Sequence, residues 1–327
     1  MNAVDPSGSP AGCAPPKLAE LRARSRWLGD HARNVTSQTG EDGLLSKVFD
    51  VIGVTDRCCV DIGAWDGIHG SNTRQLVLQG WKSVQVECDP ERFRKLSRLY
   101  AANGRVTCIR RLVQHDGPDS LERLLDETGV GDAFDLLCID VDGNDYHLWA
   151  SLERHRPRTV VIEYNFSIPD EVAFVQPADP HVAQGSSLRA LVELGRRKGY
   201  ELVFPTGLNA LFVQRQLFPL FGIADNAIEV MHAPRLEART HVFFGYDGTV
   251  FVRGAGRLPW QDVPFPEKRI QVLPRFLRTA RGYNRWQRFW ILFIRARLSG
   301  DLMRPHKWLT GFRVLFGRRR ITNIPGS

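Results

Sequence analysis

Four carboxylates in this 327-residue chain stand where they could do chemistry: Asp61, Glu87, Asp140 and Asp142, each at or just past the end of a short apolar run. The first run, Cys58 to Ile62, breaks into Gly63-Ala64-Trp65-Asp66-Gly67. Glycines at 63 and 67 let the backbone turn sharply and let a ligand come within contact distance. A following helix would point its free N–H groups at that ligand. Trp65 breaks the Gly-x-Gly-x-x-Gly fingerprint of nicotinamide cofactors. Glu87 comes about 20 residues after the glycine turn, the spacing at which an acid accepts from ribose hydroxyls.

Asp140, Asp142 and Asp145 form a second group, Asp140-Val-Asp142-Gly-Asn144-Asp145. In open α/β sheets ligands bind outside the carboxyl ends of strands. Transfer to a hydroxyl needs a base there, which a carboxylate supplies. Clustered carboxylates also suit Mg²⁺ or Ca²⁺, but the calcium-loop pattern fails, with Asp145 at its glycine and Ser151 at its final Glu. Asp142, Asn144 and Asp145 could equally cap a helix beginning near 144. His69, on the loop after the glycine turn, is a further candidate, and Glu163 could line the cleft. His147 reads as packing, and residues 166–184, with three prolines, as a loop over the site.

The elements that must position these groups alternate. Near-continuous apolar strands are expected at 58–62, 81–87, 106–113, 135–140 and 159–163, and a closing hairpin at 200–204 and 209–214. Helices are expected from Ser71, over 90–102, over 119–128 and over 186–198. Such alternation argues for a mostly parallel sheet covered on both faces. Leu44, Leu45, Val48, Phe49 and Ile52 are spaced for one face of an earlier helix. The polar Ser37-Gln-Thr-Gly-Glu-Asp42 before them would cap it. Residues 1–16, with four prolines, read as disordered, and 17–27 as a basic helical segment.

The formal charge of +8 is concentrated in the tail, where residues 268–327 carry fifteen Lys or Arg against one acid, Asp301. Arg, Trp and Phe over 281–298 suit a helix lying on anionic lipid. The same composition could track nucleic-acid phosphate or pack on the body. Membrane is preferred and nucleic acid least favoured. Cys58, Cys59, Cys88, Cys108 and Cys138 fall in or beside expected strands and match no metal spacing, so they read as buried thiols of a reducing, cytoplasmic protein. No signal peptide and no membrane-length apolar run is visible. A hairpin is expected around Asp247-Gly248.

Taken together, the chain resembles an FkbM-type methyltransferase. The resemblance is carried by Ser37-Gln-x-Gly-Glu-Asp42, Val60-Asp-Ile-Gly-Ala-Trp-Asp-Gly67 with Ser71-Asn72, Val86-Glu87, Ile139-Asp-Val-Asp-Gly-Asn-Asp-Tyr146, and the closing pair Gly199-Tyr-Glu-Leu-Val and Asn209-Ala-Leu-Phe-Val. It covers roughly residues 36–215. It implies a Rossmann-like, seven-stranded, mostly parallel sheet with helices on both faces, followed here by a basic, aromatic-rich helical extension. It also implies S-adenosylmethionine (SAM) as cofactor, held by Gln38, Glu41, Asp61, Gly63, Ala64, Asp66, Gly67, Asn72, Glu87 and Asp89. Asp140, Asp142 and His69 are then the catalytic candidates, no resident metal is expected, and the acceptor is a hydroxylated glycan, glycolipid or natural product, with the inner face of a membrane as the place where the tail would bring the two together. The expected division is 1–35, 36–218, 219–267 and 268–327. Two rivals remain: a metal-dependent glycosyltransferase using Asp140-Val-Asp142, and a non-catalytic SAM-fold binding protein.

Overall fold

In a computed structural model the described residues are 16–232 and 239–298. The chain forms two compact units, residues 1–234 and 235–327. In the first, α1 (Pro16–Ser25) and α2 (Glu41–Ile52) precede an alternating series: β1 (Cys58–Ile62), α3 (Arg74–Leu78), β2 (Lys82–Glu87), α4 (Pro90–Leu99), β3 (Val106–Arg110), α5 (Leu121–Thr128), β4 (Leu136–Ile139), α6 (Asp145–Ser151), β5 (Thr159–Glu163), α7 (Leu188–Lys198), β6 (Tyr200–Pro205), β7 (Asn209–Gln214) and α8 (Ile228–Met231). The seven strands form one sheet in the order β3-β2-β1-β4-β5-β7-β6, parallel except for β7, which runs antiparallel to both neighbours. This is a Rossmann-like, seven-stranded, mostly parallel sheet with helices on both faces, as the sequence led us to expect. The third strand stops at Arg110, short of the expected Val113.

Strand alternation divides the core into two layers. Val60, Ile62, Val84, Val86, Leu137, Ile139, Val160 and Ile162 pack with residues of α5, α6 and α7. Cys59, Leu136, Cys138, Val161 and Leu211 pack on the other face with α2, α3 and α4. The helix face expected on α2 is the buried one: Leu44, Leu45, Val48, Phe49 and Ile52. The same parity decides where the polar strand ends go. Asp61, Glu87, Asp140, Glu163 and Asn209 each follow a residue of that second layer by two positions, or match its parity, so they belong to the α2–α4 face at the edge of the sheet.

Phe221, Ile228, Val230 and Met231 are buried in the first unit, and the Trp27 indole N–H donates to the Phe221 carbonyl at 2.9 Å. The cysteines also differ from expectation at two positions: Cys88, just after β2, is exposed, and Cys108 is half-buried. The expected disorder of 1–16 falls almost wholly outside the described residues.

The second unit holds the expected hairpin, β8 (Thr240–Phe244) and β9 (Val250–Gly254), with the ladder running from Thr240↔Gly254 to Phe244↔Val250. Two short strands follow, β10 (Arg257–Leu258) and β11 (Val263–Pro264), and then α9 (Arg285–Leu298). Asn284 and Gln287 exchange backbone-to-side-chain hydrogen bonds at the start of α9, a reciprocal cap. None of the helix's residues is buried.

The burial around α8 leads to a test by truncation. A chain ending at Pro234 should melt cooperatively by circular dichroism. One ending at Phe218 loses Phe221, Ile228 and Met231, each contributing about 1.5–3 kcal/mol of burial, and should not fold. Equal melting of the two fragments would contradict this placement.

Candidate active site

The glycine turn is built against the end of β4. Gly63 has φ +92°, and a Cβ at this position would stand 1.7 Å from the Asp140 carbonyl oxygen, so only glycine allows the approach. Gly63 and Ala64 both donate their N–H to the Val86 carbonyl, at 3.0 and 2.9 Å. The turn thus lies over β1, with β2 on one side and β4 on the other. Strand order reverses between β1 and β4, the point at which open α/β sheets bind ligands.

The candidate cofactor residues occupy this turn in two ways. Several build it. Glu87 is buried and accepts from Trp65 N–H at 3.0 Å and Asp89 N–H at 2.7 Å. Those bonds use one acceptor position on each oxygen and leave the others for a ligand. Asp89 caps α4 through the N–H groups of Glu91 and Arg92. Asp66 accepts from Ile68 and His69 N–H and from His69 Nδ1 at 2.6 Å. Its partial burial pushes the carboxyl up, but those donors outweigh it and hold the group below its usual value. Buried Asn72 reaches Cys138 Sγ at 3.6 Å. Gln38 is exposed, and its amide lies against Gly70, whose φ of +65° is a backbone that favours glycine.

Glu41 serves the site from behind. It is fully buried, and its carboxylate accepts from Thr39 N–H, Thr39 Oγ1, Thr206 Oγ1 and Asn209 Nδ2. Asp42 gathers the N–H groups of Val35, Thr36 and Ser37. The Ser37–Asp42 motif therefore ties the chain entering α2 to the β6–β7 turn, which is more than the helix cap read from its sequence.

At the other side of the turn, the six residues from Asp140 divide their work. Asp145 is buried and accepts from Val141 and Gly143 N–H at 2.9 and 3.0 Å. This loop conformation carries Asp142 at φ +56° and presents it exposed to solvent. Asn144 occupies the N-cap position of α6 without capping it; its amide instead donates to the Asp179 carbonyl. The 166–184 segment is held there, around a buried Gln176 that accepts from Gln184 and Gly185 N–H. His147 contacts the Gln176 carbonyl at 2.8 Å, the packing role expected of it.

Asp140, Asp142 and Glu163 converge, each bringing one carboxylate oxygen within 4.8 Å of the others. Among the described residues, no Lys, Arg or His forms an ion pair with Asp61, Asp140, Asp142 or Glu163. The charges raise one another's proton affinity. Burial, then the charges of Asp145, Asp142 and Asp61, hold Asp140 well above the usual carboxylate range. Burial and the Asp140 charge push Glu163 up to about 10. Asp61 is pushed to about 6 by burial, against the opposing hydrogen bond from Thr73 Oγ1 at 2.6 Å.

Two features escaped the sequence reading. Trp65 takes a left-handed backbone, φ +50°, and stands exposed with the Arg92 guanidinium 4.3 Å over its ring. Asn209, paired with Glu163 across β5 and β7, is buried with Oδ1 unpartnered. The signal for Asn209 was its position opening a strand, but only the pairing of β7 with β5 gives that position meaning.

No protein-family profile and no curated protein sequence matches the chain. Solved structures similar to it include a TehB-like SAM-dependent methyltransferase from Corynebacterium glutamicum, 16% identical, covering 62% of this chain and 100% of that one, TM-score 0.35. Another is the N-terminal domain of EvdMO1, solved with S-adenosylhomocysteine and D-fucose, 12% identical, covering 60% and 96%, TM-score 0.37. A third is the glycopeptide N-methyltransferase MtfA with SAM, 13% identical, covering 61% and 98%, TM-score 0.33. The chemistry of this chain rests on its own site.

The buried Asp61 yields a pH test with a definite sign. Its folded value near 6 lies above the ordinary 3.8. Between those values the folded chain keeps a proton that the unfolded chain releases, so stability is lost as pH rises through that window. Relative to Asp61→Asn, the wild type should lose roughly 3 kcal/mol between pH 4 and 7 in denaturant titrations. A pH-independent difference between the two would contradict the assignment.

Proposed function

We propose that this chain is a SAM-dependent O-methyltransferase of the FkbM type, acting on a hydroxyl of a glycan, glycolipid or related acceptor. The observation that supports it best is the set of carboxylates from β1, β4 and β5 gathered at the switch point with no basic partner among the described residues. SAM carries a sulfonium and an ammonium, the charges such an edge lacks. In this reading Glu87 meets the ribose hydroxyls with its remaining acceptor positions, and the Gly63–Gly67 turn leaves room for the amino-acid end. Asp140 and Asp142 hold the acceptor hydroxyl in line with the sulfonium. His69 takes the proton: Asp66 engages Nδ1, which fixes the ring and leaves Nε2 to act as base. The oxygen–methyl bond forms as the sulfur–methyl bond breaks, giving the methyl ether and S-adenosylhomocysteine.

Calorimetric titration tests the cofactor. SAM and S-adenosylhomocysteine should bind, and Glu87→Gln should weaken SAM by about 1–3 kcal/mol while the protein stays folded. Binding of a UDP-sugar with Mn²⁺ in place of SAM would favour the glycosyltransferase reading. SAM binding without methylation of any hydroxylated acceptor would favour a binding protein.

The reading extends to location through α9. Helical spacing puts Trp286, Phe289, Trp290 and Phe293 on one flank and Arg285, Arg288 and Arg295 on the other. No helix among the described residues is long and apolar enough to cross a membrane. A surface helix of this kind would bring the enzyme to an anionic lipid that carries or neighbours its acceptor. The expected remainder of the basic tail, 299–327, lies outside the described residues. The full chain should sediment with phosphatidylglycerol vesicles, less so at high salt, and residues 1–234 alone should not. Equal sedimentation of both, or retention on RNA instead, would remove the membrane role.

A further inference from the structure

We propose that the edge formed by β4, β5 and β7 binds a hard divalent cation through Asp140, Asp142, Glu163 and Oδ1 of Asn209, beside the methyl-transfer site. The strands themselves assemble the set. Ile139 pairs with Ile162, so Asp140 and Glu163 are next in register on parallel strands. Glu163 in turn pairs with Asn209. Residues opposed across an antiparallel pair project from the same face, with Cβ atoms about 5 Å apart. One row of oxygen donors therefore crosses three strands at the edge of a single core layer, and the turned-out Asp142 closes it from the solvent side.

Distance and donor chemistry fit one ion. Oxygens from the three carboxylates all lie within 4.8 Å of one another. Two ligands on opposite sides of a Ca²⁺ stand roughly 4.6–5.2 Å apart, and on Mg²⁺ about 4.2 Å. The donors are all oxygen, which selects Mg²⁺, Ca²⁺ or Mn²⁺ over zinc or copper.

Asn209 is the independent sign of a ligand. It is 4% exposed, and its Oδ1 is buried with no hydrogen-bond partner. A buried amide oxygen left unpartnered is costly. The amide cannot relieve this by flipping. Its Nδ2 donates to Glu41 Oε1 at 3.0 Å, and a flip would put oxygen against that carboxylate. With Nδ2 held by Glu41, Oδ1 is the corner left for the row that Glu163 continues. A cation satisfies it, and protein hydrogen bonds among the described residues do not.

The role assigned to the cation rests on the methyltransferase reading. Four protein oxygens leave two of six positions for water or for adjacent hydroxyls of a sugar-like acceptor. There the charge favours the alkoxide that forms as His69 takes the proton.

The test uses the full chain and Mn²⁺ alone, followed by electron paramagnetic resonance, with SAM titrated separately by calorimetry. One Mn²⁺ per chain is expected. Asp142→Asn and Glu163→Gln should each weaken it at least tenfold with melting unchanged within a few degrees. Asp142 is the safer variant, because its side chain is exposed and outside the loop's own hydrogen bonds. Absence of a stoichiometric site at millimolar Mn²⁺, or unchanged affinity in Asp142→Asn, overturns the cation. Release of Mn²⁺ on adding SAM also overturns it, because the carboxylates would then answer the cofactor's own charge. SAM binding without Mn²⁺ binding leaves the methyltransferase reading standing and removes only the cation. Mn²⁺ binding without SAM binding supports the cation site and removes methyl transfer.

Discussion

The site depends on one electrostatic constraint: several carboxylates held together at a sheet edge with no Lys, Arg or His among the described residues paired to them. Burial raises the proton affinity of such groups, and like charges this close add to it. Asp140 and Glu163 show the result. A protein that kept these groups for stability alone would pair them, as it pairs buried Asp135 with Arg158 at 2.7 Å at the opposite end of β4. The contrast between the two ends of one strand is informative. At the amino end the charge is closed off by Thr55, Asp56 and Arg57 N–H groups and by Arg158. At the carboxyl end no Lys, Arg or His among the described residues pairs with Asp140.

Around that edge, much of the polar structure is scaffolding. Glu41, Asp42, Asp66, Asp89 and Asp145 each accept backbone N–H groups and so fix the loops that surround the open carboxylates. Gly63 lets the turn close onto Asp140. The division is one of degree: carboxylates that gather several N–H donors shape the loops around the cleft, and Asp140, Asp142 and Glu163 converge at its edge. A second reading of Glu87 follows, since it does both, bracing Trp65 and Asp89 while retaining free acceptor positions.

Most of the fold was legible because strand–helix alternation and apolar parity are local properties of sequence. The runs at Cys58–Ile62 and Thr159–Glu163 announce buried parallel strands, and Leu44 to Ile52 announce a helix face. The site was legible only in part. Asp140, Asp142 and Glu163 could be picked out as strand-end acids, but their convergence comes from the register of β5 on β4. Asn209 gained its place from the antiparallel β7, a pairing between residues far apart in sequence. The roles within Asp140–Asp145 were hidden for a different reason: three acids of one type differ only in which N–H groups the loop turns toward them. The helix α8 was not legible because it contributes three buried side chains from four residues, too short to show periodicity.

The most direct measurement of the account is a crystal structure of the chain with S-adenosylhomocysteine. The account places the ribose against Glu87, the homocysteine along the Gly63–Gly67 turn, and the sulfur facing Asp140. A ligand seated away from the β1–β4 switch point, or no ligand at millimolar concentration while a UDP-sugar and Mn²⁺ occupy Asp140 and Asp142, would contradict it.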